Sequence, residues 1–351
     1  MKSNPNYTIK DIAQMAGVSR GTVDRVIHGR GIVSKDTYNK IKLILDRIDY
    51  QPNLAAQSLR KGALFKIAVL VPDGDLDSYW KRAMTGIEKA IKELSFVGVN
   101  VSMHLFNSLK EVSFTYNANQ VLKEGCDGVL VAPIFYNEAI EFFKKCEERG
   151  ISYATFNTDI KEINALCHVG QDLVKSGETA ASLLKKVVGK ADEYLIVHID
   201  VDISNARHIQ EKENGFVNFM AQNNIGADKI KKLTINNPKV MEKELMALLD
   251  KFPKIKGVYV TTSKVYYIAD IIEAYSLDLK LIGYDLIDEN RSHLKKGNIE
   301  FLIYQNPGLQ ASSALSLLVD YLAFKKDVPK QKLLPIEIVI KENYKDYTAW
   351  V

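Results

Sequence analysis

Two arginines and a pair of hydroxyls, at short fixed spacing near the start of the chain, are well suited to grip a polyanion. They lie in the run Ala13-Gln14-Met15-Ala16-Gly17-Val18-Ser19-Arg20-Gly21-Thr22-Val23-Asp24-Arg25-Val26-Ile27. Ser19 and Thr22 sit where a helix would begin, and groups at a helix N-terminus bond phosphate oxygens. Arg20 and Arg25, with Gly21 beside them, can face a major groove, where a guanidinium fork takes guanine O6 and N7 together. Ala13 must be small where two helices cross, and Gly17 takes the turn. The competing reading is a three-helix protein-binding module. Charge weighs against it. Residues 1–62 hold eleven Lys and Arg against five Asp, a net +6, while the other 36 basic and 38 acidic residues leave −2. A basic head on a near-neutral body is expected when one segment meets a polyanion.

The elements that must hold these residues are legible around them. Thr8 to Asp11 resembles a capping box with Asp in place of Glu or Gln, followed by Ile9, Ile12, Ala13 and Ala16 at helical spacing. Ser19 offers an N-cap to a second helix carrying Val23, Val26 and Ile27, which Gly29-Arg30-Gly31 ends. Ser34 caps a third, with Tyr38, Ile41, Leu45 and Ile48 on one face. Helix, glycine turn, helix is the helix-turn-helix arrangement. Asn53–Leu59, after Pro52, reads as a short fourth helix.

From Phe65 onward the texture becomes alternating strand and helix. Strand-like runs cover 65–71, 99–106, 128–132, 151–156, 194–199, 231–235, 257–261, 279–284, 301–304 and 336–340. Amphipathic stretches separate most of them; in 79–94, Ala83, Ile87, Ala90, Ile91 and Leu94 share one face. Repeated strand–helix units imply parallel sheets covered on both sides. Ten strands exceed one comfortable sheet, so the expected fold is an all-α head followed by an α/β body of two doubly wound subdomains. Ligands of such folds bind beyond the carboxyl ends of strands, in the cleft between lobes.

The segment Tyr7–Leu59 resembles the DNA-binding head of the lac repressor (LacI/GalR) family. The likeness includes Val33-Ser34-Lys35-Asp36-Thr37 and Tyr50-Gln51-Pro52-Asn53. The rest resembles that family's effector domain, built like periplasmic sugar-binding proteins. The resemblance implies that Arg20, Gly21 and Arg25 read bases, while Ser19, Thr22 and His28 lie on or near phosphates. It implies that Leu54–Leu59 is a hinge helix inserting Leu59, with Ala56 beside it, into the central minor groove, where such wedges kink the duplex. Asp24 departs from the usual Ser, and His28 from a frequent Asn.

For the body, the resemblance implies an effector site made from strand ends. Asp77, Tyr79 and Trp80 follow the first strand, where an aromatic face can cover the C–H side of a sugar ring while polar groups take its hydroxyls. Taken alone, Tyr79 and Trp80 read more often as core or lobe-interface residues; their place at a strand end brings the ligand reading level with that one. Asn157 falls where many relatives have Asp, and Thr158 where an Arg is common. Gln210 occupies the position of a pocket Arg, with Arg207 one turn earlier as a substitute, and Thr262 replaces a frequent Asn. Asp285, in Ile282-Gly283-Tyr284-Asp285, reads as a ligand of sugar hydroxyls rather than a helix cap. Gln305 reads as a pocket amide, and Pro307 as the first residue of a helix. Val169-Gly170-Gln171-Asp172 reads as structural, at a helix start.

These expectations divide the 351 residues into a DNA-binding head (1–50), a hinge and linker (51–63), and an effector and dimerisation domain (64–351). Within the last, one lobe is expected over about 64–160 and 300–330, the other over about 161–299 and 331–351. No run of apolar residues is long enough to span a membrane, and Met1–Lys10 lacks the core of a signal peptide. Cys126, Cys146 and Cys167 form no CxxC, which fits a reducing cytoplasm. No histidine pair has metal-ligand spacing, no GxGxxG or GxxxxGK appears, and no nucleophile–base set is visible, so neither metal, cofactor nor enzyme is expected. The reading is a cytoplasmic transcriptional regulator, a repressor of carbohydrate-metabolism genes that acts as a homodimer on a pseudo-palindromic DNA operator and is controlled by a sugar or sugar derivative. Two rivals are a sugar-binding receptor for transport or signalling, which has no use for residues 1–62, and a sugar-metabolising α/β enzyme.

Overall fold

A computed structural model describes residues 7–27, 33–48, 65–189, 192–200 and 203–350. His28, the expected turn at 29–31, and the expected hinge helix with Ala56 and Leu59 lie outside the described residues. The chain divides into two units, Met1–Ala63 and Leu64–Val351, described in turn.

In the first unit, α1 (Ile9–Ala16) starts from a full capping box. The Thr8 hydroxyl accepts from the Asp11 amide, and the Asp11 carboxylate accepts from the Thr8 amide at 2.8 Å. The Thr8 hydroxyl also donates to that carboxylate at 2.7 Å, and this bond, followed by the one from the Thr8 amide, holds the Asp11 carboxyl below its ordinary pKa. Gly17 ends the helix at φ +65°, a left-handed conformation that glycine adopts without strain. α2 (Arg20–Ile27) follows at once, and α3 (Lys35–Arg47) is capped by Ser34. Ile12, Ala13, Ala16, Val23 and Ile41 form the buried centre where the three helices meet.

The second unit runs β1 (Phe65–Pro72), α4 (Ser78–Glu93), β2 (Val99–Phe106), α5 (Glu111–Glu124), β3 (Gly128–Val131), α6 (Tyr136–Glu148), β4 (Ser152–Phe156) and β5 (Cys167–Gly170). It continues through α7 (Leu173–Val187), β6 (Glu193–Ile199), a 3-10 turn at Ile203–Asn205, α8 (Arg207–Gln222), β7 (Ile230–Ile235), α9 (Met241–Lys251) and β8 (Ile255–Val260). α10 (Tyr266–Tyr275), β9 (Lys280–Tyr284), α11 (Asp288–Lys296), β10 (Phe301–Tyr304), α12 (Pro307–Phe324), β11 (Gln331–Leu333) and β12 (Glu337–Val339) complete it. The strands form two sheets, ordered β11-β5-β4-β3-β1-β2 and β12-β10-β9-β8-β6-β7. Every pairing is parallel except β10 with β12. The central strands are buried on both faces, and each lobe has its own apolar core.

Strand pairing corrects the expected lobe limits in three places. β5 pairs with β4, so 167–170 belongs to the first lobe. β10 pairs with β9, so 301–304 belongs to the second, and the chain returns to the first lobe only with α12, which packs on β4. β11 pairs with β5 in the first lobe before β12 joins the second. The reason is common to all three: the chain crosses between a strand and the element after it, and strand pairing rather than apolar periodicity decides which sheet a short strand joins.

Candidate functional site

Of the head residues expected to meet DNA, Ser19, Arg20, Gly21, Thr22 and Arg25 lie among the described residues. Arg20, Gly21 and Arg25 are exposed, and Val23, between them, is buried and anchors α2. The Ser19 hydroxyl accepts from the Thr22 amide at 3.2 Å and lies 2.9 Å from the Thr22 hydroxyl, so both stand at the α2 N-terminus. A Cβ on Gly21 would meet only Ser19 at 3.8 Å, so its bareness keeps the outer face of α2 low rather than relieving a clash.

In the body, the loops after several strands converge on a cleft of about 330 Å³, the small end of the range for metabolite sites. Asp77, Tyr79 and Trp80 come from the start of α4, Asn157 follows β4, Asp200 follows β6, Thr262 and Lys264 follow β8, Asp285 follows β9, and Gln305 follows β10. Asn157, Asp200 and Asp285 all hold left-handed backbone (φ +71°, +54° and +64°), a conformation that Asn and Asp adopt more readily than most residues and that turns the chain sharply at each strand end.

Asp77 is the N-cap of α4, its carboxylate accepting from the Tyr79 amide at 2.9 Å. Burial raises its pKa, and Lys264 opposes the rise. The Asn157 amide donates to the Tyr79 hydroxyl at 2.6 Å. Tyr79 and Trp80 meet edge to face at 4.9 Å and are largely buried, so they form the cleft floor and the lobe core together. Asp285 is inaccessible. Its carboxylate accepts from the Gln305 backbone at 3.0 Å and side-chain amide at 2.6 Å, and burial pushes its pKa up to about 6. Gln305 therefore orients Asp285, leaving each carboxylate oxygen one further lone pair.

Seven expected residues thus share one cleft: Asp77, Tyr79, Trp80, Asn157, Thr262, Asp285 and Gln305. Arg207 and Gln210 do not line it. Arg207 pairs instead with Glu162 at 3.3 Å and Glu211 at 3.6 Å, and Gln210 donates to the Ile203 carbonyl at 2.6 Å. The basic group of α8 that does reach the cleft is Lys212, two residues after the expected position. It is buried, donates to the Thr261 carbonyl at 3.3 Å, and sits 3.7 Å from the Tyr284 ring centre. Burial pushes its pKa down to about 8 despite the nearby Asp285. His208, one turn earlier, is held neutral, at about 3, by burial and by Lys212. Gly177 and Gly215 let α7 and α8 cross so closely that a Cβ at either would overlap backbone, which fixes the depth of Lys212. Lys264 pairs with Asp200 at 2.8 Å on the cleft wall. Sequence reasoning missed Lys212, yet it falls in register with buried Ile209 and Phe216, and a lysine on the apolar stripe of a helix is a usable signal.

No described helix is long and apolar enough to cross a membrane. Residues 67–326 match the periplasmic binding protein domain family, and residues 8–53 match the bacterial regulatory proteins of the lacI family. The ribose operon repressor of Bacillus subtilis is 25% identical over 81% of this chain and 82% of its own length. Catabolite control protein A of Streptococcus mutans is 37% identical over 21% of this chain, and the match spans 22% of that protein. A Bacteroides fragilis protein described as a LacI transcriptional regulator superposes with a TM-score of 0.75 at 28% identity, over 81% of this chain and all of its own.

Proposed function

Because the chain belongs to the periplasmic binding protein domain family through residues 67–326 and carries a lacI-family head at residues 8–53, we propose that it is a sequence-specific DNA-binding transcriptional regulator whose grip on DNA responds to a small polyhydroxylated effector. The observation that carries this is the coexistence in one chain of an exposed Arg20–Gly21–Arg25 surface and a cleft built from strand ends. Arg20, Gly21 and Arg25 read bases, and Ser19, Thr22 and His28 meet phosphates. Ala56 and Leu59 supply the minor-groove wedge of the hinge. Asp77, Asn157, Asp285, Gln305 and Lys212 hold the effector, against a floor of Tyr79 and Trp80.

The cleft's charges favour an uncharged effector. Asp200 is paired with Lys264, Lys212 and Asp285 offset one another, and Asp77 leaves no cationic excess for a phosphate. Carboxylates accepting from, and amides bridging, hydroxyl groups suit a sugar. The relative named as a ribose operon repressor adds weight to a pentose or hexose. The protein acts as a cytoplasmic homodimer on a pseudo-palindromic operator, because one head covers only half a site. It performs no catalysis.

The test is selection of binding sequences from random duplex DNA by the full-length protein, repeated with D-ribose, D-arabinose, D-glucose and D-galactose. A two-fold symmetric consensus whose affinity shifts with one sugar is expected. No enriched sequence would exclude the DNA role, and a sugar that binds without altering DNA affinity would return the body to a receptor reading.

A further inference from the structure

We propose that Asn205, on a turn tied down by Gln210, and Arg207, at the start of α8, form a latch across the mouth of the cleft, so that effector affinity is partly set by contacts between the lobes. This rests on the cleft being the effector site. Helix α6 begins at Tyr136 in the first lobe with no side-chain cap of its own, since Phe135 offers none. Its cap comes from the other lobe. The Asn205 side-chain oxygen accepts from the Asn137 amide at 2.9 Å, and its nitrogen donates to Glu138 at 2.7 Å. Asn205 is only 5% exposed, so its own amide is largely withdrawn from water, while both bonds are part-buried because Asn137 is exposed and Glu138 half-buried.

Two residues further on, Arg207 reaches Glu162, in the segment between β4 and β5, and its guanidinium lies 5.7 Å from the Tyr136 ring centre. That pair is partly exposed and contributes little alone; the buried amide is the stronger half. Gln210 donates to the carbonyls of Ile203 and Ser204, at 2.6 and 3.3 Å, and so holds the 3-10 turn that presents Asn205. Gln210 is a positioning residue. When the lobes part, the α6 start exchanges Asn205 for water, so the latch biases closure modestly. A modest bias suits a switch, because a strong one would hold the cleft shut without effector.

Amide hydrogen exchange on the full-length protein without sugar tests this directly. Asn205→Ala and Gln210→Ala should each speed exchange at the Asn137 amide by about fivefold, with β3 protection unchanged as the control for folding. Calorimetry with D-ribose, D-arabinose, D-glucose and D-galactose gives the second arm. Arg207→Ala and Glu138→Ala, both off the cleft wall, should weaken every sugar that binds by one common factor. An Asn137 amide indifferent to Asn205→Ala overturns the latch, as does a changed order of sugar preference in Glu138→Ala. If none of these sugars binds, the sugar reading fails while the exchange result still decides the latch.

Discussion

Lys212 is the most consequential single side chain in the cleft, because its charge is almost wholly withdrawn from water. An unfolded lysine keeps its proton to about pH 10.4, whereas burial brings Lys212 down to about 8. Below pH 8 both states are charged, and the folded state bears the whole burial cost, about 3 kcal/mol. Between the two values the folded chain sheds its proton first, so stability rises with pH. Lys212→Met should therefore melt higher than the parent at pH 7, with the difference shrinking from pH 8 upward in thermal melts. The gain will fall short of the full cost because Asp285 loses a neighbouring cation. The same change should abolish the effector response. In the head, Arg25→Ala should cost about 1–3 kcal/mol per half-site on the preferred sequence and relax selection at one position; an unchanged ratio of specific to random binding in gel shifts would remove Arg25 from the bases. Such residues differ in how far sequence exposes them. Arg25 sits in a dense local motif, whereas the role of Arg207 depended on Glu162, whose proximity only the fold creates.

At the scale of elements, close helix crossing decides where Lys212 ends up. Gly215→Ala would drive a methyl into the Val174 carbonyl, and overpacking of this kind costs about 1–3 kcal/mol. Denaturant melts should show that loss, together with weaker effector binding as α8 shifts outward. A melt unchanged within error would mean that the α7–α8 contact yields freely. Long strands and helices with clear periodicity were legible from sequence, β1 and α4 among them. β5 and β11 were not. β5 is the four-residue Cys-His-Val-Gly, and all three residues of β11 are exposed, so neither carries an apolar alternation. The latch was illegible for a different reason. A cap supplied to α6 from the turn before α8 leaves no mark near the helix it serves.

At the scale of the molecule, the chain passes between the lobes after β5, after β10 and after β11. Gln171 ties the three passages together, donating to the Tyr304 carbonyl at 3.0 Å and the Pro335 carbonyl at 2.6 Å. The three passages thus form a single stapled neck between the lobes. The interleaving also shapes how the protein is made. α12, which fills the first lobe's core with Ala311, Ala314, Leu315 and Leu318, leaves the ribosome only after nearly all of the second lobe has been synthesised. At about 5–20 residues per second, the nascent first lobe waits about 8–30 seconds with an apolar face uncovered. A chain stopped at residue 306 should accordingly be recovered as aggregate or bound to chaperones, despite containing the head and most strands of both sheets, and co-expression of residues 307–351 should rescue part of it. If so, the late arrival of one helix sets a demand for attendance during translation that falls on the nascent chain and is gone once α12 has docked.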